Sequence, residues 1–229
     1  MKLTPFVTIT ILLLTPVLSL TAQADEPKEH ELTAKLNLTS NYLWRGVTQT
    51  QDQAAVQGVI KYQASNGIIL ATGVSNIDFG EPQGTGYEQD WYIGYRYQAE
   101  SVSWQAGYRY SSYPTNDGHN FGDLEARVKW DILTGGVAYT TNTDESPTIE
   151  ENSGDLYVYL NAVWPVEGLI VGGRLGHYSR TRAGVPSYNH LQLYLRTEGF
   201  KFAVNKTDLD GTDGDVRVWV SWAKHFELL

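Results

Sequence analysis

From about residue 30 onward, apolar and polar positions alternate in segments of about ten residues, separated by connections that are short and long by turns. Period-two alternation over that length describes strands with two unlike faces. A tilted β-strand crosses a bilayer in about ten residues. The pattern predicts an all-β fold, a 12-stranded antiparallel transmembrane β-barrel with short periplasmic turns and longer extracellular loops.

The first segment places Leu32, Ala34, Leu36 and Leu38 on one face and Thr33, Lys35, Asn37 and Thr39 on the other. The second runs from about Ala54 to Ala64, turns at Ser65-Asn66-Gly67, and Ile68 to Asn76 returns. The fourth, about Glu88 to Gln98, aligns Trp91, Ile93, Tyr95 and Tyr97. A turn at Ala99-Glu100-Ser101 leads to the fifth, which aligns Trp104, Ala106, Tyr108 and Tyr110. The sixth spans Asp123 to Asp131, and the seventh ends near Thr143. The eighth, Leu156 to Val163, turns at Pro165-Val166-Glu167-Gly168 into Leu169 to His177. The tenth, about Tyr188 to Leu195, turns at Thr197-Glu198-Gly199 into Phe200 to Lys206, and the last runs from Val216 to Phe226. Five connections are short and six are long and polar, in strict alternation. With an even strand count, both termini fall on the short-turn side, which in bacterial barrels is periplasmic.

Residues 1–24 read as a signal peptide: Lys2, an apolar run from Phe6 to Leu20, and Ala22-Gln23-Ala24 before Asp25. Residues 25–229 then form one barrel domain. The chain contains no Cys, which excludes disulfides and thiolate metal sites. Its mean hydropathy of -0.33 does not argue against a membrane, because barrel strands show lipid only alternate residues. A net charge of -9 argues against nucleic acid as a partner. The histidines are too scattered to suggest a metal site, and Gly73, Gly94, Gly107 and Gly172 inside strands suggest close packing.

The segment Ser40-Asn41-Tyr42-Leu43-Trp44-Arg45-Gly46-Val47-Thr48-Gln49-Thr50 resembles the TorF family of outer-membrane porins, also described as a conserved proteobacterial family of unknown function. The resemblance implies a barrel and a pore, and no particular solute. Continuing the parity of the first strand puts Tyr42 and Trp44 on the lipid face, in an aromatic girdle. The same parity puts Asn41 and Arg45 at the mouth of the pore.

If the apolar set faces lipid, the opposite set lines the lumen. Its cations are Lys35, Lys61, Arg96, Arg109, Arg127, Lys129, Arg174, Arg196, Lys201 and Arg217, against the acids Asp90, Asp123, Glu125 and Asp131. An acidic chain thus predicts a basic lumen, and rings of Arg and Lys favour anions. The expected function is passive diffusion of small, preferentially anionic solutes, without enzymatic activity or cofactor. The expected partners are outer-membrane lipids and the barrel-assembly machinery acting on the C-terminal strand, and the expected location is the bacterial outer membrane. Acidity concentrates in the long loops, at Asp144, Glu145, Glu150, Glu151 and Asp155, and from Asp208 to Asp215. The latter stretch has spacing suited to calcium but lacks the bidentate Glu of an EF-hand.

Two alternatives share the fold. One is a non-conducting structural or adhesive barrel. The other is a lipid hydrolase in which His177, Ser179 and Asn189 meet at the outer rim, in an order similar to the His-x-Ser…Asn of outer-membrane phospholipases. Their Asp-Ser-Asn-Gly run is absent, since Tyr178 and Arg180 flank Ser179.

Overall fold

The computed structural model describes residues 30–116, 118–144 and 152–229. The signal peptide expected at residues 1–24, and Glu145, Glu150 and Glu151, lie outside the described residues. The strands are β1 (Glu31–Thr39), β2 (Leu43–Trp44), β3 (Val47–Thr48), β4 (Ala55–Gln63), β5 (Ile68–Asp78), β6 (Thr85–Ala99) and β7 (Val102–Ser112). They continue as β8 (Phe121–Trp130), β9 (Leu133–Thr143), β10 (Leu156–Val166), β11 (Leu169–Ser179), β12 (Tyr188–Thr197), β13 (Phe200–Thr207) and β14 (Arg217–Glu227). All but β2 and β3 close a single barrel of 12 antiparallel strands, in which β1 pairs with both β4 and β14. The fold class read from the alternation is therefore the fold observed.

The alternation holds through the ladder. Leu38, Ile60, Leu70, Ile93, Leu124, Leu160, Leu175, Leu193, Phe202 and Val218 are exposed on the outer wall. Trp104, Trp130 and Trp164 flank that belt at the short-turn end, and Tyr87 and Tyr139 flank it toward the long loops. This is the apolar band with aromatic borders that a bilayer requires. The buried hydrophobic residues lie inside the barrel instead, in two clusters: Ala138, Tyr157, Tyr178 and Tyr188, and Ile77, Tyr113 and Phe121.

Several strands outrun their expected ends at the long-loop side, for example β5 to Asp78 and β6 from Thr85. Backbone pairing continues there beyond the lipid belt, so hydropathy no longer marks the strand. At the other end, the turns are tighter than expected. Pro165 pairs with Ile170 within the β10–β11 ladder, and the turn is Glu167-Gly168, both with positive φ (33° and 81°). Asp131, expected in the lumen, is an exposed turn residue with φ 50° between β8 and β9.

Candidate functional site: a folded-in loop and a basic chamber

The first long connection does not extend the wall of the barrel. β1 ends at Thr39, and the chain turns inward as the β2–β3 hairpin, paired Leu43 with Thr48 and Trp44 with Val47. Its two-residue turn is Arg45-Gly46, with φ 48° and 94°, the positive pair that a type I′ hairpin turn requires. A Cβ on Gly46 would come within 2.8 Å of the His190 side chain, so the position needs glycine for space as well as for φ.

The hairpin is tied to strands on every side of the lumen. Tyr42 donates its hydroxyl to Glu88 of β6 at 2.9 Å, and Arg45 Nη2 binds Asp123 of β8 at 2.5 Å. Asn205 of β13 donates to the Gly46 carbonyl at 2.8 Å. Arg217 of β14 binds Asp52 at 2.6 Å, and Asn41 donates to the same carboxylate at 2.6 Å. The Asp78 amide of β5 donates to the Gln49 carbonyl at 2.9 Å. Trp44 packs against both interior clusters, touching Phe121 at 5.5 Å and Tyr178 at 5.9 Å between ring centroids.

The girdle placement of Tyr42 and Trp44 is therefore corrected: both face the interior. Parity projects a strand only while the strand continues, and β1 stops before reaching them. Asn41 and Arg45 do face inward, but as buried anchors of the hairpin rather than as a rim. The Arg45 guanidinium lies over Trp44, Tyr157 and Tyr178 at 4.0, 4.9 and 4.6 Å.

Asp123 is the hub of this half. It is fully buried, and it binds Arg45, Arg109 at 3.1 Å and the Thr140 hydroxyl at 2.7 Å. Arg109 also reaches Glu125 at 2.8 Å. Of the cations expected in the lumen, Arg45, Arg109 and Arg217 are thus carboxylate-paired.

The others lie on inward-facing strand positions toward the short turns. Lys35, Lys61, Arg96, Arg127, Lys129, Arg174, Arg196 and Lys201 have no carboxylate within ion-pair distance among the described residues. Six of them have neutral partners. Arg96 and Arg127 share the Gln105 carbonyl oxygen at 2.9 and 2.6 Å, and Lys61 donates to Gln63 at 3.4 Å. Lys201 donates to Gln192 at 3.0 Å and lies over Tyr194 and Trp219. Arg174 lies over Tyr159 at 4.6 Å, and Arg196 over Tyr194 at 5.5 Å. Lys129 is exposed at the end of β8.

Between the two halves lies a cavity of about 390 Å³, lined by Trp44, Arg45, Tyr92, Gln105, Arg109, Glu125, Arg127, Tyr157, Tyr159 and Arg174 among others. Its tyrosines lie over interior glycines: a Cβ at Gly94 or Gly107 would meet the Tyr92 hydroxyl. Glu88, Asp52, Tyr157, Tyr178 and Asn205 are site residues that sequence reasoning missed. Glu88 and Tyr157 share the inward parity of the predicted set. Asp52 sits in a loop, where parity has no meaning.

At the outer rim, His177 Nδ1 and Asn189 Oδ1 are 2.9 Å apart, and Asn189 donates to Asp208 at 2.6 Å. The Ser179 hydroxyl bonds neither of them. The acids from Asp208 to Asp215 flank a short 3₁₀ turn, Gly211–Gly214. They are directed to separate partners, Asp208 to Asn189 and Asp213 to Arg217. Among the described residues, no three His, Asp or Glu side chains are grouped to hold a metal ion.

A closed 12-stranded barrel with an apolar belt and a polar, loop-filled interior is the architecture of outer-membrane porins. The chain belongs to the Gcw_chp family, described as a bacterial protein of unknown function, whose model matches residues 21–222. Among solved structures, it is similar to the KdgM porin at TM-score 0.54 and 12% identity, over 83% of this chain and 98% of that one. It is also similar to a protein described under "Unveiling the Mechanism Behind the in-meso Crystallization of Membrane Proteins", at TM-score 0.57 and 11% identity over 86% of this chain and 84% of that one. Identities this low speak for the fold alone. No curated protein matches the chain.

Proposed function

We propose that the protein is a porin-like channel of the bacterial outer membrane, passing small solutes down their gradients with a preference for anions. The observation that carries the preference is the set of inward cations, from Lys35 to Lys201, that have no carboxylate partner among the described residues. In a confined lumen, salt screens these charges less than it would in open water, so they attract anions and repel cations. Amides and ring faces hold six of them in place without cancelling their charge.

In this reading the β2–β3 hairpin narrows the passage at the long-loop end, which faces the cell exterior, while both termini face the periplasm. The lipid-facing belt meets outer-membrane lipids, and β14, with outward Phe226 near its end, is the segment offered to the assembly machinery. The resemblance of residues 40–50 to TorF porins agrees with this role. The test is a planar bilayer recording under a potassium chloride gradient. The reversal potential should indicate chloride preference, and cation preference would overturn the proposal.

The hydrolase alternative is favoured by one contact, the His177–Asn189 hydrogen bond. It would require phospholipid turnover by the purified protein that Ser179→Ala abolishes.

A further inference from the structure

The cavity beneath the hairpin has an imbalance that the channel reading alone does not use. Four guanidiniums line it: Arg45, Arg109, Arg127 and Arg174. Against them stand the carboxylates of Glu125, in the lining, and Asp123, behind it. By this count two positive charges are left over in a confined space, where like charges repel more strongly than in bulk water.

Two of these arginines also carry unused donors. Arg45 Nη1 and Arg174 Nε are buried and have no hydrogen-bond partner among the described residues. The Arg45 side chain is only 4% exposed. A buried donor left unpaired costs about 1–3 kcal/mol, more when charged, which makes each a place where an acceptor is expected.

The orientation of both groups is fixed. The Arg45 guanidinium lies over the Tyr157 ring at 4.9 Å and that of Arg174 over Tyr159 at 4.6 Å. Those two rings are themselves stacked at 5.7 Å. A ring face holds the plane of a guanidinium but accepts none of its edge N–H groups. Both cations thus line one cavity with donor N–H groups that the rings do not take up, a chemistry suited to an oxyanion.

We infer that this chamber is a binding site for a small dianionic solute, a dicarboxylate or an organic phosphate, clasped between Arg45 and Arg174. The excess of two positive charges sets the valence. The volume sets the size, since about 390 Å³ holds roughly a dozen water-sized groups. Binding would satisfy both orphaned donors and neutralise the excess charge. As a transport site the chamber rests on the channel reading, although binding itself requires no conduction.

The test uses the full-length barrel in detergent, titrated calorimetrically with succinate, inorganic phosphate, acetate and glucose. Succinate or phosphate should bind at a single saturable site, at least about tenfold more tightly than acetate, and glucose should not bind. If phosphate binds and succinate does not, the site is assigned to organic phosphates, and the converse assigns it to dicarboxylates. Arg174→Gln should weaken binding by about tenfold to a hundredfold, the value of a charged hydrogen bond. Arg174→Lys, which keeps the charge but loses the planar fork, should fall between. Unchanged heat-modifiable gel migration confirms that each variant is folded. No saturable succinate or phosphate binding up to about 10 mM, or binding indifferent to Arg174→Gln, overturns the inference. Anion-selective conductance without such binding overturns the site and leaves the channel reading standing. Binding without conductance does the reverse.

Discussion

The two halves of the barrel interior are lined by the same strands with the same alternation, yet they use arginine for opposite ends. Toward the long loops, Arg45, Arg109 and Arg217 are ion-paired to Asp123, Glu125 and Asp52, and the space around them is filled by Trp44, Tyr157, Tyr178 and Phe121. Toward the short turns, the cations have amides and ring faces for partners. The first half resembles the core of a soluble protein turned inside a membrane wall. The second is a charged surface folded into a tube. Facing the lumen therefore does not by itself give an arginine a transport role. An acid beside it ties it to the wall first, and only a donor left over, as Nη1 of Arg45 is, remains for a solute.

The largest effect is expected at Asp123. Replacing it with Ala leaves Arg45 buried and uncompensated, and breaking a buried pair from one side costs about 3–5 kcal/mol. Urea unfolding in lipid vesicles should show a loss of that order, and a loss under about 1 kcal/mol would mean that the hub is not structural. Next in size is Arg45→Ala, which removes the hairpin tip from Asp123 and from three ring faces. Single-channel conductance should rise several-fold, whereas an unchanged value would show that the hairpin does not limit flow.

The inner half is sharpened by Arg96→Gln together with Arg196→Gln. Stability should change little, because no ion pair is lost, while the reversal potential should move toward zero. The smallest effect is expected at the rim. Asn189 hydrogen bonds hold the Asp208 carboxyl below its ordinary value near 3.8. A depressed carboxyl contributes stability that is present above the ordinary value and is lost as pH falls through the folded one. Asp208 is exposed, so that contribution is below about 1 kcal/mol. Acid titration of unfolding should show a small loss below about pH 4 that Asn189→Ala removes.

Much of the barrel was legible because lipid imposes a rule on every second residue. Leu36, Ile93, Leu160 and Leu193 each mark an outward position, and connection length separates the two ends. The rule stops where the strand stops. Tyr42 and Trp44 look like girdle aromatics by parity and composition, and only their three-dimensional partners, Glu88 and the Phe121–Tyr178 rings, say otherwise. A local signal was available in Arg45-Gly46, a pair suited to a two-residue hairpin within what looked like a continuous strand. The division of lumen cations into paired and unpaired sets could not be read at all. Arg45 meets Asp123 across 78 positions and Arg217 meets Asp52 across 165, separations that no local pattern encodes.

The contact between Asp52 and Arg217 joins the first long loop to the last strand. Beside it, β1 and β14 zip together from Thr33–Glu227 to Thr39–Ser221, and Ser40 exchanges hydrogen bonds with Val220. Every one of these contacts spans at least 165 of the 229 positions, and such contacts form late because loop closure precedes their gain. The sealing of the cylinder and the last clasp on the first long loop consequently fall together. Until the final strand arrives, the hairpin lacks its Arg217 clasp and the wall is open along the same line. An assembly intermediate stalled before that strand would be both leaky and unlatched.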